Sequence, residues 1–259
     1  MIRGGCTPIP VAIVLAFVVA ASCRLWATSS AGGVPVADGN SESGDDQSPM
    51  LIATADFNRD GIADVAEIVR PPGLSSGVCF LQILFGQKNG GYRSAVYLPL
   101  LKDNPQSMVA GDFNGDGNPD LLVGDADGKI TELLGDGKGN LKSAGEVAHV
   151  GSVVSMAVGD FNHDGIPDIA VSDFSANALT ILLGSGGGSF TAGWSLSLPM
   201  RGTTYYLSVG DFNLDGIPDL AVTSAEEGAY VVMLGNGNGT FTYAPQLSHI
   251  RDPYSYCPT

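Results

Sequence analysis

From Pro49 onward the chain alternates short apolar runs with breaks rich in Gly, Asp and Asn. The runs LIATA, SMVAG, SMAVG and YLSVG each precede an acidic break, and VAEIV, LLVGD, IAVSD and LAVTS each follow one. They are too short for helices and favour Val, Ile and small residues, so each pair predicts two strands joined by a loop. A third strand is predicted where FLQILFG, ITELLG, LTILLG and YVVMLG run to Gly86, Gly135, Gly184 and Gly235. Four positions on comes a second glycine, Gly90, Gly139, Gly188 or Gly239, and two further a large apolar residue, Tyr92, Leu141, Phe190 or Phe241. That spacing predicts a tight hairpin into a fourth strand, because glycine supplies the positive φ such turns need.

The body of the chain is therefore a repeat. DFNRDGIAD (Asp56–Asp64), DFNGDGNPD (Asp112–Asp120), DFNHDGIPD (Asp160–Asp168) and DFNLDGIPD (Asp211–Asp219) begin 56, 48 and 51 residues apart. Four short antiparallel strands in about fifty residues make one blade of a β-propeller. The strands are apolar on both faces, which suits sheets sandwiched between neighbours. The fold class expected is all-β: a propeller of four four-stranded blades at about 49–104, 105–152, 153–204 and 205–250, either a closed four-blade ring or a partial one.

The acidic loops carry the candidate chemistry. Positions 1, 3, 5 and 9 are Asp56, Asn58, Asp60 and Asp64 in the first copy; Asp112, Asn114, Asp116 and Asp120 in the second; Asp160, Asn162, Asp164 and Asp168 in the third; Asp211, Asn213, Asp215 and Asp219 in the fourth. Glycine at position 6 allows a sharp turn, and the backbone carbonyl of position 7 (Ile62, Asn118, Ile166, Ile217) adds a further oxygen. An all-oxygen set with three carboxylates suits a hard cation of flexible geometry, and Ca²⁺ fits better than Mg²⁺ or Zn²⁺. About four Ca²⁺ per chain are expected. Two other readings exist. The loops could be Asx turns capped by their own side chains. The first also satisfies an EF-hand pattern ending at Glu67, but Val123, Val171 and Val222 stand there in the other copies, inside a strand pattern. Position 4 (Arg59, Gly115, His163, Leu214) varies and is expected to face solvent.

GDFNxDGxPDLxV followed by LLGxGxGxF resembles the FG-GAP/VCBS repeats related to the propeller of integrin α subunits. The resemblance covers Pro49 to about Ser248. It implies a calcium-bearing, extracellular or surface-exposed propeller, in a family usually built with seven blades where this chain supplies four.

The N-terminus reads differently. Arg3, an uncharged run from Gly4 to Ser22 and small residues through Ala31 follow the order of an export signal, taken as residues 1–30. A lipoprotein site at Cys23 and an uncleaved membrane anchor are the alternatives. All three place the body outside the cytoplasm: secreted, periplasmic or on the cell surface. The polar stretch 31–48 reads as a solvated linker and 251–259 as a tail. With 12 Lys+Arg against 27 Asp+Glu, a net charge of −15, the chain has no basic excess for nucleic acid.

Catalytic residues are not expected. GLSSG at 73–77 matches G-x-S-x-G but lacks the strand–turn–helix context, and His149, His163 and His249 form no evident triad or zinc set. Cys79 and Cys257 are candidates for a disulfide stapling the last blade to the first. The first repeat carries about six extra residues near Arg70–Val78, and these, with Trp194, Tyr205 and Tyr206, are candidates for partner or glycan contact, or else a tolerated insertion and buried aromatics. The function expected is binding, adhesion or scaffolding of a protein or glycan ligand, or alternatively a lectin-like or carbohydrate-active module. A homo-oligomer completing the ring is a further expectation.

Overall fold

The computed structural model of the protein describes residues 49–69, 79–100, 104–198, 200, 205–224 and 228–247. The proposed signal, linker and tail, the GLSSG segment, His249, Arg70 and Cys257 lie outside them.

The described residues are nearly all strand, in four antiparallel four-stranded sheets of meander order. Blade 1 holds β1 (Pro49–Ala55), β2 (Asp64–Val69), β3 (Cys79–Gly86) and β4 (Tyr92–Leu100). Blade 2 holds β5 (Pro105–Gly111), β6 (Asp120–Asp125), β7 (Lys129–Gly135) and β8 (Leu141–His149). Blade 3 holds β9 (Val153–Gly159), β10 (Asp168–Asp173), β11 (Ala178–Gly184) and β12 (Phe190–Ser197). Blade 4 holds β13 (Tyr205–Gly210), β14 (Asp219–Ser224), β15 (Ala229–Gly235) and the short β16 (Phe241–Tyr243), followed by a 3₁₀ turn at Pro245–Leu247.

The first strand of each blade is the inner one, and β1 meets β5, β5 meets β9 and β9 meets β13. The blades stack through three apolar cores. Ala66, Ile68, Leu81 and Ile83 of blade 1 pack on Met108, Leu121, Val123 and Leu133 of blade 2. Leu122 and Ile130 on the other face of blade 2 pack on Ile169, Val171 and Leu182 of blade 3. Ala170, Leu179 and Ile181 of blade 3 pack on Leu207, Leu220, Val222 and Met233 of blade 4.

Period-2 geometry sends successive side chains to opposite faces, so a sandwiched strand is buried on both and reads as mainly apolar. β6 (DLLVGD) and β10 (DIAVSD) are buried at every position. The equivalent strands of the terminal blades are not: β2 alternates buried with half-buried residues, and β14 exposes Thr223. Among the described residues, no contact of the extent seen between the other inner strands joins β13 to β1. Among the described residues the four blades thus form a propeller arc that is open between blade 4 and blade 1.

Candidate functional site

The four acidic loops join the first strand to the second in every blade. Asp56 Oδ1 accepts the Asp60 amide (3.0 Å) and its Oδ2 accepts the Gly61 amide (2.8 Å). The same pair of bonds is made by Asp112, Asp160 and Asp211. The side-chain oxygen of Asn58, Asn114, Asn162 or Asn213 accepts the position-5 amide at 2.8–3.0 Å. Position 5 then accepts the amide of position 7 at 2.8–2.9 Å. These are Asx-type turns, in which short polar side chains take the place of backbone carbonyls.

Two backbone positions make the turn. Position 6 is left-handed, with φ of 82°, 82°, 83° and 85° at Gly61, Gly117, Gly165 and Gly216. Position 4 is left-handed as well: Arg59, His163 and Leu214 have φ of 58°, 59° and 63°, and Gly115 has 75°. Residues at position 4 face solvent, Leu214 being 88% exposed, yet the sequence shows no preference for the glycine that this backbone favours. Asn118 at position 7 receives a side-chain bond from Arg59 Nη1 of blade 1 at 3.3 Å, which links two adjacent loops.

Position 9 does something the spacing did not reveal. Asp64, Asp120, Asp168 and Asp219 are fully buried. Asp168 Oδ2 accepts the amides of Phe161 (2.9 Å) and Asn162 (3.3 Å), while Oδ1 accepts the amide of Gly184 at the end of the third strand (2.9 Å). Asp64, Asp120 and Asp219 hold Gly86, Gly135 and Gly235 in the same way, each at 2.8 Å. The carboxylate is a latch between loop and sheet. Burial pushes the carboxyls of Asp64, Asp120 and Asp168 above their ordinary value, and the amide donors pull back against it. The latched glycine is fixed by close approach: a Cβ on Gly86, Gly135, Gly184 or Gly235 would overlap the carbonyl oxygen of the residue before the latch aspartate. The recurring Asp and Gly, 15, 16 and 16 residues apart in repeats two to four, were the available signal.

Chemically, each loop presents oxygen acceptors from positions 1, 3 and 5 at the surface and a third carboxylate beneath. Among the described residues no three His, Cys, Asp or Glu side chains gather into one metal-holding group. That follows from position 3 being an amide and from the inward turn of position 9. The residues present still fit a calcium ion, because every donor is oxygen, the position-1 and position-5 carboxylates accept from neutral amides, and among the described residues no cation is paired with them in loops three and four. In loop two, the Asn118 amide leads other donors in holding the Asp116 carboxyl below its ordinary value.

The remaining candidates separate. Tyr205 is fully buried, its hydroxyl donating to Asn177 Oδ1 (2.7 Å) and the Met200 carbonyl (3.0 Å). Trp194 packs on the core between blades 3 and 4, 5.8 Å from the Phe241 ring. Both are core residues rather than contact residues, because their apolar bodies fill the space between sheets; Tyr206 is 53% exposed. His149 lies 3.4 Å from Glu146, and both are exposed. Cys79 is a free thiol buried in the core between blades 1 and 2, and its expected partner lies outside the described residues.

The FG-GAP-like repeat family matches residues 112–171 and 165–222. The chain is an FG-GAP-repeat β-propeller. No curated protein matches it. Among solved structures the FG-GAP propeller is similar to a protein from Lactobacillus plantarum, with a TM-score of 0.58 and 11% identity over 81% of this chain and 58% of that one. It is also similar to a fructofuranosidase from Schwanniomyces occidentalis complexed with fructose, with a TM-score of 0.53 and 11% identity over 73% of this chain and 44% of that one. These likenesses concern the fold. The chain spans less than two thirds of either solved structure.

Proposed function

We propose that this FG-GAP propeller is an exported, calcium-stabilised scaffold that binds a protein or glycan ligand at the cell surface or envelope, without catalysis of its own. The observation that supports it is the same exposed oxygen-lined loop on all four blades, held from below by a buried aspartate. Asp, Asn and Asp at positions 1, 3 and 5, the position-7 carbonyl and the position-9 aspartate would hold the ion. Bound calcium would neutralise acids that otherwise repel one another. Extracellular calcium modules bind in the 0.1–1 mM range, and a dissociation constant of about 0.1 mM at about 1 mM Ca²⁺ stabilises each site by about 1.4 kcal/mol. Four such sites give on the order of 6 kcal/mol, comparable with the net stability of a domain.

Calcium stoichiometry of the chain by metal analysis after dialysis, with thermal melts in calcium and in EGTA, tests the proposal. About four ions per chain and a large melt shift support it; no bound calcium and coincident melts refute it. A glycan array probed with the calcium-loaded protein separates a glycan ligand from a protein ligand. Cell fractionation with N-terminal sequencing tests export.

A further inference from the structure

The three junctions between blades are built from the same parts. The carbonyl of the loop phenylalanine in one blade accepts the amide of the hairpin glycine in the next: Phe57 from Gly139 (2.9 Å), Phe113 from Gly188 (3.1 Å) and Phe161 from Gly239 (2.8 Å). The ring of that phenylalanine packs on the large residue two positions past the glycine. Phe113 meets Phe190 edge-on at 5.9 Å, Phe161 meets Phe241 at 5.4 Å, and Phe57 shares a core with Leu141. The three phenylalanines are 2%, 1% and 1% exposed.

Each end of the arc carries one half of this junction. Phe212, the fourth loop phenylalanine, is 43% exposed, and Tyr92, the first of the post-hairpin residues, is 47% exposed. Inner strands repeat the pattern. Ile52, opposite Glu67 and so on the outer face of blade 1, is 62% exposed, and Tyr206, opposite Thr223 on the outer face of blade 4, is 53% exposed. These two faces do not meet within the chain, since β13 and β1 make no such contact among the described residues.

We propose that the blade 4 face bearing Tyr206 and Phe212 docks on the blade 1 face bearing Ile52 and Tyr92 of a second copy, head to tail, repeating the junction that joins blades within the chain. Continuity with the three existing junctions carries the choice of occupant. A second copy supplies the missing half at both ends at once, and two copies related by a twofold axis close eight blades, within the four-to-eight range of propellers.

Sedimentation equilibrium of the full chain at micromolar concentration tests it, in about 0.15 M salt, where the Debye length of about 8 Å screens the shared negative charge. Two copies per particle are expected. Phe212→Glu and Tyr92→Arg should each weaken association about a hundredfold, as a charge buried at an interface centre does, while leaving the melt of the single chain near that of the parent. The double variant F212E/Y92R, which sets Glu against Arg across each junction, should recover much of the lost association. A monomeric parent overturns the proposal. So does a dimer that both single variants leave intact, or a double variant that associates no better than either single one.

Discussion

Replacing Glu132 with isoleucine should stabilise the protein in a strongly pH-dependent way. Glu132 lies on the face of blade 2 that packs on blade 3, three residues before the latched glycine Gly135. The equivalent residues in the other blades are Ile83, Ile181 and Val232. Its side chain is 2% exposed, and Oε1 has no hydrogen-bond partner. Burial, with a smaller push from the Asp120 charge, raises its carboxyl from 4.5 to about 7. The folded state therefore holds a proton that the unfolded chain has released between these two values, and stability contributed by Glu132 is full below pH 4.5 and lost as pH rises through about 7. At 1.36 kcal/mol per unit, the shift corresponds to about 3 kcal/mol between the limits. Urea unfolding at pH 5 and pH 8.5 should thus show the Ile variant gaining roughly 3 kcal/mol more over the parent at the higher pH. Glu132→Gln, which keeps the shape and cannot ionise, should show the same slope with a smaller offset. Taking the difference between parent and variant at each pH removes the titration of the 26 other acids. A difference that stays flat with pH in both variants would refute the burial argument.

The other predictions concern the loops. Asp168→Ala leaves the amides of Phe161, Asn162 and Gly184 without their acceptor and should cost about 3–5 kcal/mol by urea unfolding even in EGTA. Asp164→Asn, at the exposed surface of the same loop, should leave stability in EGTA nearly unchanged and remove one calcium per chain from the metal analysis. Gly135→Ala drives a methyl group into the Pro119 carbonyl and should lower stability by about 3 kcal/mol or more, seen as a fall in urea midpoint. Leu214→Gly relieves a left-handed backbone at an 88% exposed side chain and should raise the midpoint by about 0.5–1 kcal/mol of stability.

The repeat, the strands and the blades were legible because each is written in local periodicity and in turn chemistry copied four times. The loops were legible as polar turns for the same reason. Position 9 was read as a loop ligand, and its hold on the latch glycine was not visible because spacing within a loop says which oxygens are near one another and nothing about which lie under the sheet. Only the pairing of Asp168 with Gly184, across two strands, shows that role, and it depends on register between strands rather than on sequence distance. Whether Tyr205 and Trp194 pack in the core or meet a partner was open in the sequence on similar grounds: an aromatic beside a loop looks alike whether its ring faces solvent or the next blade.

The same limit explains why ring closure could not be read from the repeats, although its trace is in them. β6 and β10 are buried throughout because both their faces are covered, whereas β2 holds the half-buried Glu67 and β14 the exposed Thr223 where the free faces begin. Burial has pushed the Glu67 carboxyl above its ordinary value although the strand lies at the end of the arc, so that face is already partly dry. A polar residue inside the stack is held by hydrogen bonds, as Ser172 is by donating to the Tyr205 carbonyl. Glu132 is a carboxylate inside the stack with one oxygen that has no such partner among the described residues, and its raised proton affinity is the physical consequence of standing where its counterparts are aliphatic.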